Sequence, residues 1–179
     1  MKTFSQRQQD LFVLKTTNFL KNGLFVDIAA GNPRDINNTF LLESDYGWDG
    51  ISIEIDSRWN AEWKERKSTF INQDAFSIDY QSVFDELLNK HNKKEKRFNY
   101  LSLDLEPPEL TNKLLHFLPL KKYNFDIITY EHDLYRVGDK YKDDAKKYLY
   151  SLGYVIKEEN VSHENNIFED WYIHSSLLK

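Results

Sequence analysis

Short apolar runs alternate along this chain with longer segments that carry apolar residues on one side only. Leu24–Ile28, Ile51–Ile55, Ser68–Asn72, Phe98–Leu103 and Phe125–Tyr130 have the length and composition of strands. Helical patterns lie between them. Ile36–Tyr46 holds Phe40, Leu41 and Leu42 and stops near Gly47, and Ser57 is placed to cap a helix running to about Arg66. Asp79–His91 sets Tyr80, Val83, Phe84, Leu87 and Leu88 at helical spacing; Pro107-Pro108 opens a helix with Leu110, Leu114, Leu115 and Leu118 inward. Lys140–Leu152 aligns Tyr141, Ala145, Tyr148, Leu149 and Leu152, with Gly153 as its stop. Ahead of these, residues 1–22 read as a packing helix over Ser5–Lys21, ended by Asn22-Gly23. Two last runs, Tyr154–Lys157 and Phe168–His174, flank the polar stretch EENVSHENN and read as a hairpin with a long loop. Strand and helix alternate up to that hairpin. The pattern predicts an α/β three-layer sandwich, with a mostly parallel seven-stranded sheet and an antiparallel C-terminal hairpin. No repeat, linker or low-complexity tract interrupts it, so one domain over residues 1–179 is expected.

The chemistry gathers at strand ends. Asp27, Glu54, Asp74, Asp104, Glu106, Glu131 and His132 all fall at or just past the end of a predicted strand. In an open parallel sheet that edge is where ligands bind. The first strand–helix–strand unit, Gly23 to Asp56, places a loop of small residues against a helix start, and Glu54 at the end of its second strand suits a ribose diol. The G-x-G-x-x-G of dinucleotide sites is absent. The order Asp27-x-Ala29-x-Gly31, with Glu54 downstream, instead resembles the first motif of S-adenosylmethionine (SAM) methyltransferases.

The words SQRQQDLFVL, GLFVDIAAGNPRDINNTFLLE, GWDGISIEID, FNYLSLDLEPPE, YNFDIITYEHD and EDWYIH, taken in order, resemble the FkbM-like family of SAM-dependent methyltransferases over nearly the whole chain. The resemblance implies the Rossmann-like class I methyltransferase fold and SAM as cofactor, held by Asp27, Ala29, Gly31, Glu54, Asp74 and Ala75. Asp74 and Ala75 would touch the adenine, and the word Ser5-Gln6…Gln9-Asp10 would lie over the cofactor. It also implies O-methylation of a small hydroxylated acceptor such as a sugar or glycan. The chain departs from the family at Ala29 and Pro33, at Pro107-Pro108 in place of Gly-Ser, and in a short link after the third strand where relatives carry further strands. A second copy of the chain is one source for such a missing pocket wall, so a homo-oligomer stays open. These departures also favour an alternative, a binding or scaffold protein that keeps the fold without catalysis.

Near the acceptor, His132 has the unperturbed pKa of a general base, and Asp104 can serve if neighbouring carboxylates raise it. A divalent ion such as Mg²⁺ on Asp104, Glu131 and His132 is a further alternative, and a purely structural role for all three is another. Composition narrows the partners. A net charge of −5 opposes a nucleic-acid partner, and no run approaches membrane-spanning length. There are no cysteines, so thiolate metal sites and disulfides are ruled out. The N-terminus lacks a signal-peptide core, and a cytoplasmic location is the expectation.

Overall fold

A computed structural model describes residues 1–178. Seven strands form one sheet: β1 (Leu24–Ile28), β2 (Asp49–Ile53), β3 (Thr69–Ile71), β4 (Arg97–Leu103), β5 (Asn124–Glu131), β6 (Tyr154–His163) and β7 (Asn166–His174). Their order is β3-β2-β1-β4-β5-β7-β6. The first five in that order run parallel, and β7 pairs antiparallel with both β5 and β6. The chain reverses its direction of travel across the sheet between β1 and β4, which makes a switch point there.

Strand alternation sorts the side chains into two cores. Leu24, Val26 and Ile28 of β1 face one side, with α3 (Tyr80–Lys90), α4 (Pro108–Phe117) and α6 (Lys140–Ser151) packed on it. Phe98 and Phe125 stack there at 5.1 Å between ring centres, and Phe84 packs 5.0 Å from Phe98. Phe25, on the other side of β1, joins Tyr100, Ile127, Trp171 and Ile173 under α1 (Gln9–Thr16) and α2 (Phe40–Tyr46). Among the described residues, no helix is long and apolar enough to cross a membrane.

Several expected boundaries move, each for a local reason. The N-terminal helix starts at Gln9 rather than Ser5. The buried Asp10 carboxylate accepts hydrogen bonds from Thr3 Oγ1 (2.6 Å), Phe4 N (2.8 Å) and Ser5 Oγ (2.8 Å), folding the first residues into an arm. It ends before Asn18 and Phe19, which take positive φ. α2 begins at Phe40 because Asn37 Oδ1 accepts from the Thr39 and Phe40 amides. Between Ser57 and Arg66 the chain makes two 3₁₀ turns instead of one helix. Asp56, not Ser57, caps the first, accepting from Arg58 N. The closing hairpin is longer than its apolar pattern indicates. Most of the polar stretch is strand, with register shifts between Ile156 and Ser162, and the tight turn uses Glu164 and Asn165 at φ 49° and 71°. A short α5 (Leu134–Val137) follows β5.

Two backbone positions near the switch point carry opposite expectations. A Cβ on Gly50 would stand 2.4 Å from the ring of Phe25, its partner across the β1–β2 ladder. Gly50→Ala should lower stability by about 1–3 kcal/mol, through overpacking, in urea unfolding. Ala29 has φ 61°, where an L-residue is strained and glycine is not. Ala29→Gly should therefore raise stability by about 1 kcal/mol in the same assay; a loss would mean that the loop does not hold this left-handed turn.

Candidate functional site

A cavity of about 850 Å³ opens at the carboxyl ends of the parallel strands. Ala29 lines it where β1 leaves the sheet. One wall is Glu54, Ile55 and Asp56 after β2, with Gln73 to Phe76 after β3. The other is Asp104, Leu105 and Glu106 after β4, with Glu131, Asp133 and Tyr135 around the end of β5. His163, Asn166 and Phe168 of the hairpin complete it, and Gln6 reaches in from the N-terminal arm.

On the first wall the side chains organise the loop that follows β1. Glu54 is mostly buried; its Oε2 accepts from Gly31 N and its Oε1 from Asp56 N, both at 2.8 Å. Each oxygen keeps a lone pair for a ligand hydroxyl. The Gly31 carbonyl in turn accepts from Trp63 Nε1 at 3.0 Å. Behind the loop is Arg66, which the sequence reading passed over. Its side chain is buried, paired with Glu43 at 2.9 Å, and donates to the Pro33 carbonyl (2.6 Å) and Thr39 Oγ1 (3.2 Å). The guanidinium also lies 4.9 Å from the Trp63 ring. No local pattern marks it, because its ion-pair and hydrogen-bond partners are far away in sequence.

Asp27 points into this knot rather than into the cavity. Thr39 Oγ1 donates to it at 3.0 Å, and burial pushes its carboxyl up to about 6. So Ala29, Glu54, Asp74 and Ala75 line the cavity, while Asp27 and Gly31 shape the loop behind it. Asp74 Oδ1 accepts from Phe76 N at 2.9 Å and leaves its other oxygen free of a side-chain or amide donor. Within the Ser5-Gln6…Gln9-Asp10 word only Gln6 reaches the cavity.

The second wall has a different character. Asp104 and Glu131 are hydrogen-bonded to each other; burial pushes both carboxyls up, the contact with Asp104 pushes Glu131 further, and the contact with Glu131 lowers Asp104 in part. Two carboxyls in contact with no N–H donor between them share a proton. Beside them is Glu169 of β7, directly across the ladder from Glu131 and almost fully buried. Its Oε2 accepts from Gln9 Nε2 (2.9 Å) and Trp171 Nε1 (2.5 Å), and burial pushes it up to about 8. Reading carboxylates from strand ends misses Glu169, because β7 runs antiparallel and its beginning lies at this edge.

The structure corrects the role expected of His132. It follows Glu131 by one residue and therefore faces the opposite side of the sheet. There it is fully buried, 3.5 Å from Asp170, with Nδ1 accepting from Leu134 N. It does not line the cavity and is not placed to take a proton from an acceptor. The metal set Asp104, Glu131 and His132 fails for the same reason. The carboxylates that do converge are Glu106, Glu131 and Asp133, within 4.8 Å of one another. Arg136 already bonds two of them, Glu106 at 2.7 Å and Asp133 at 2.6 Å, so a guanidinium supplies the positive charge.

No protein-family model matches the sequence, and no curated protein matches it. Solved structures do match its fold. An rRNA methylase from Streptococcus thermophilus superposes with a TM-score of 0.54 at 13% identity, covering 97% of this chain and 98% of that one. Human methyltransferase-like protein 13 in complex with S-adenosylhomocysteine gives 0.58 at 11% identity, covering 94% and 79%. The sugar N-methyltransferase KedS8 from Streptoalloteichus gives 0.54 at 11%, covering 97% and 88%. At such identities the likeness establishes the fold, and the chain has the Rossmann-like seven-stranded fold of the class I methyltransferases.

Proposed function

We propose that this chain is a SAM-dependent methyltransferase whose acceptor is a small hydroxylated molecule, with a sugar or glycan as the class that its FkbM-like sequence words point to. One observation carries the reading. One cavity has the buried carboxylate Glu54 on one wall, with a lone pair free on each oxygen, and the adjacent carboxyls Asp104 and Glu131 on the other.

The residues fit SAM. The volume holds a nucleoside cofactor beside a small acceptor. Glu54 offers lone pairs to the ribose hydroxyls, Asp74 offers one to the adenine amine, and the exposed Ile55 at the lip gives an apolar cover. The lining carries seven carboxylates; Arg58 pairs with Asp56, Arg136 with Glu106 and Asp133, and Asp104 and Glu131 share a proton, which leaves Glu54, Asp74 and the Asp104–Glu131 pair as its net negative charge. That charge suits a cationic sulfonium, which when bound supplies the electrophilic methyl group. It disfavours phosphorylated or carboxylated acceptors. Asp104 accepts the acceptor's O–H, orients its oxygen toward the cofactor wall and takes the proton as the new bond forms. Glu131 holds the proton the pair already shares, so the pair's single negative charge is spread over two groups before the transfer and is neutralised by it.

The test begins with calorimetric titration of S-adenosylhomocysteine into the wild-type protein and Glu54→Gln. Saturable binding should weaken about tenfold or more in the variant, because one of two carboxylate acceptors becomes an N–H donor. A wild-type protein that does not bind the ligand would end the methyltransferase reading. For the reaction itself, Asp104→Asn should leave that affinity in place and slow methyl transfer to a sugar acceptor by about 10²–10⁴-fold. Cofactor binding without transfer to any of a panel of neutral sugars would favour the scaffold alternative.

A further inference from the structure

Glu169 is a buried carboxyl that the proposed reaction does not use. Three acids stand side by side on one face of the sheet: Asp104 just past β4, Glu131 on β5 and Glu169 on β7. Glu131 and Glu169 are directly opposite in an antiparallel ladder, a position in which two like charges repel at close range. The groups packed around Glu169 offer it no positive charge. Gln9 comes from α1, Tyr100 and Thr129 from the neighbouring strands, and Trp171 from its own strand. Asp27 and Asp133, the next charged groups toward the loops, are themselves acids. Arg136 is the cation on this side, and it is engaged with Glu106 and Asp133. Both N–H donors to Glu169 converge on Oε2, the pattern of a carbonyl oxygen, and the remaining hydrogen-bonding neighbour is the Thr129 hydroxyl, which can accept a hydrogen carried on the carboxyl.

We propose that Glu169 is a positioning residue of this site: a carboxylic acid that keeps its proton and so leaves the Asp104–Glu131 pair with a single negative charge on the inner wall. The proposal rests on reading that pair as the base. Its shape follows from the row of three. With Glu169 neutral, the pair carries a single negative charge and can accept a proton. With Glu169 ionised, a second charge arrives behind Glu131, and the pair and its surroundings must rearrange or hold their proton more tightly. Burial pushes Glu169 up to about 8, so it would stay protonated at neutral pH and begin to ionise in mildly alkaline solution.

The variant for the test is Glu169→Gln, which keeps a carbonyl oxygen for Gln9 and Trp171. Infrared spectra of the protein alone, at neutral pH, should show a protonated-carboxyl band that Glu169→Gln removes. That difference band should fade between about pH 7 and about pH 9. In methyl transfer, Glu169→Gln should follow the wild type through neutral pH and diverge from it by several-fold above about pH 8. The proton of the Asp104–Glu131 pair is common to both proteins, so the band is read in the difference between them; a difference spectrum with no protonated-carboxyl band, or a difference band that does not titrate, overturns the proposal. Superimposable pH–rate profiles overturn the positioning role even if the band is lost. Failure of S-adenosylhomocysteine to bind the wild type would be read separately by calorimetry; it would remove the methyltransferase reading, while the infrared band still reports on Glu169.

Discussion

The site depends on one constraint, the common register of the strands at the carboxyl edge of the sheet. Ser52, Asp27, Ser102 and Thr129 are paired neighbours across β2, β1, β4 and β5. All are buried on one face, as a polar row where the apolar core of that face ends. Two residues further along each strand, on the same face, the chain reaches Glu54, Ala29, Asp104 and Glu131, and Glu169 extends the row on β7. The cavity, its acidity and its division into two walls follow from that alignment. A slip of one residue in any of these strands would turn its carboxyl to the opposite core.

The acids in this row meet different local fates. Glu54 sits where the chain bends, and two backbone amides point at it. Asp104 and Glu131 sit where β4 and β5 are still close to parallel, with no free amide between them. Burial is the largest push on both carboxyls, and the neighbouring Asp104 adds to it on Glu131. The loop after β1 is fixed by the opposite strategy. Its carbonyls and the buried Glu43 are met by Arg66 and Trp63, so the left-handed turn at Ala29 and Gly31 is held from behind and the cavity side is left open.

Much of this was legible in the sequence where a single period dominates. β1, β4, β5 and α3 lie within a residue or two of their apolar patterns, and the cavity opens at the strand ends where the acids cluster. What escaped was information that pattern does not carry. The bulges of β6 break its alternation, so a strand reads as a polar loop. Asp10 and Asn37 divert helix starts through side-chain hydrogen bonds. His132 looked like a base because it ends a strand, but only the register decides which face a terminal residue takes. Glu169 was invisible until the direction of β7 was known. Arg66 makes its ion-pair and hydrogen-bond contacts with residues some twenty to thirty positions earlier in the chain.

Arg136 shows how the two outer acids differ from the inner pair. It spans the loops after β4 and β5, bonding Glu106 on one and Asp133 on the other. Arg136 and Glu106 are largely exposed, so water and salt weaken the pairing, and its value is in tying two connections together rather than in raw stability. The consequence for chemistry is a division of labour by depth. Outer carboxylates are neutralised by a cation from the same chain, while Asp104 and Glu131 have only each other and whatever enters the cavity. An acceptor that brings a hydroxyl proton to that pair is the partner this arrangement lacks, which is why the inner wall, rather than the more acidic rim, is the place where proton transfer belongs.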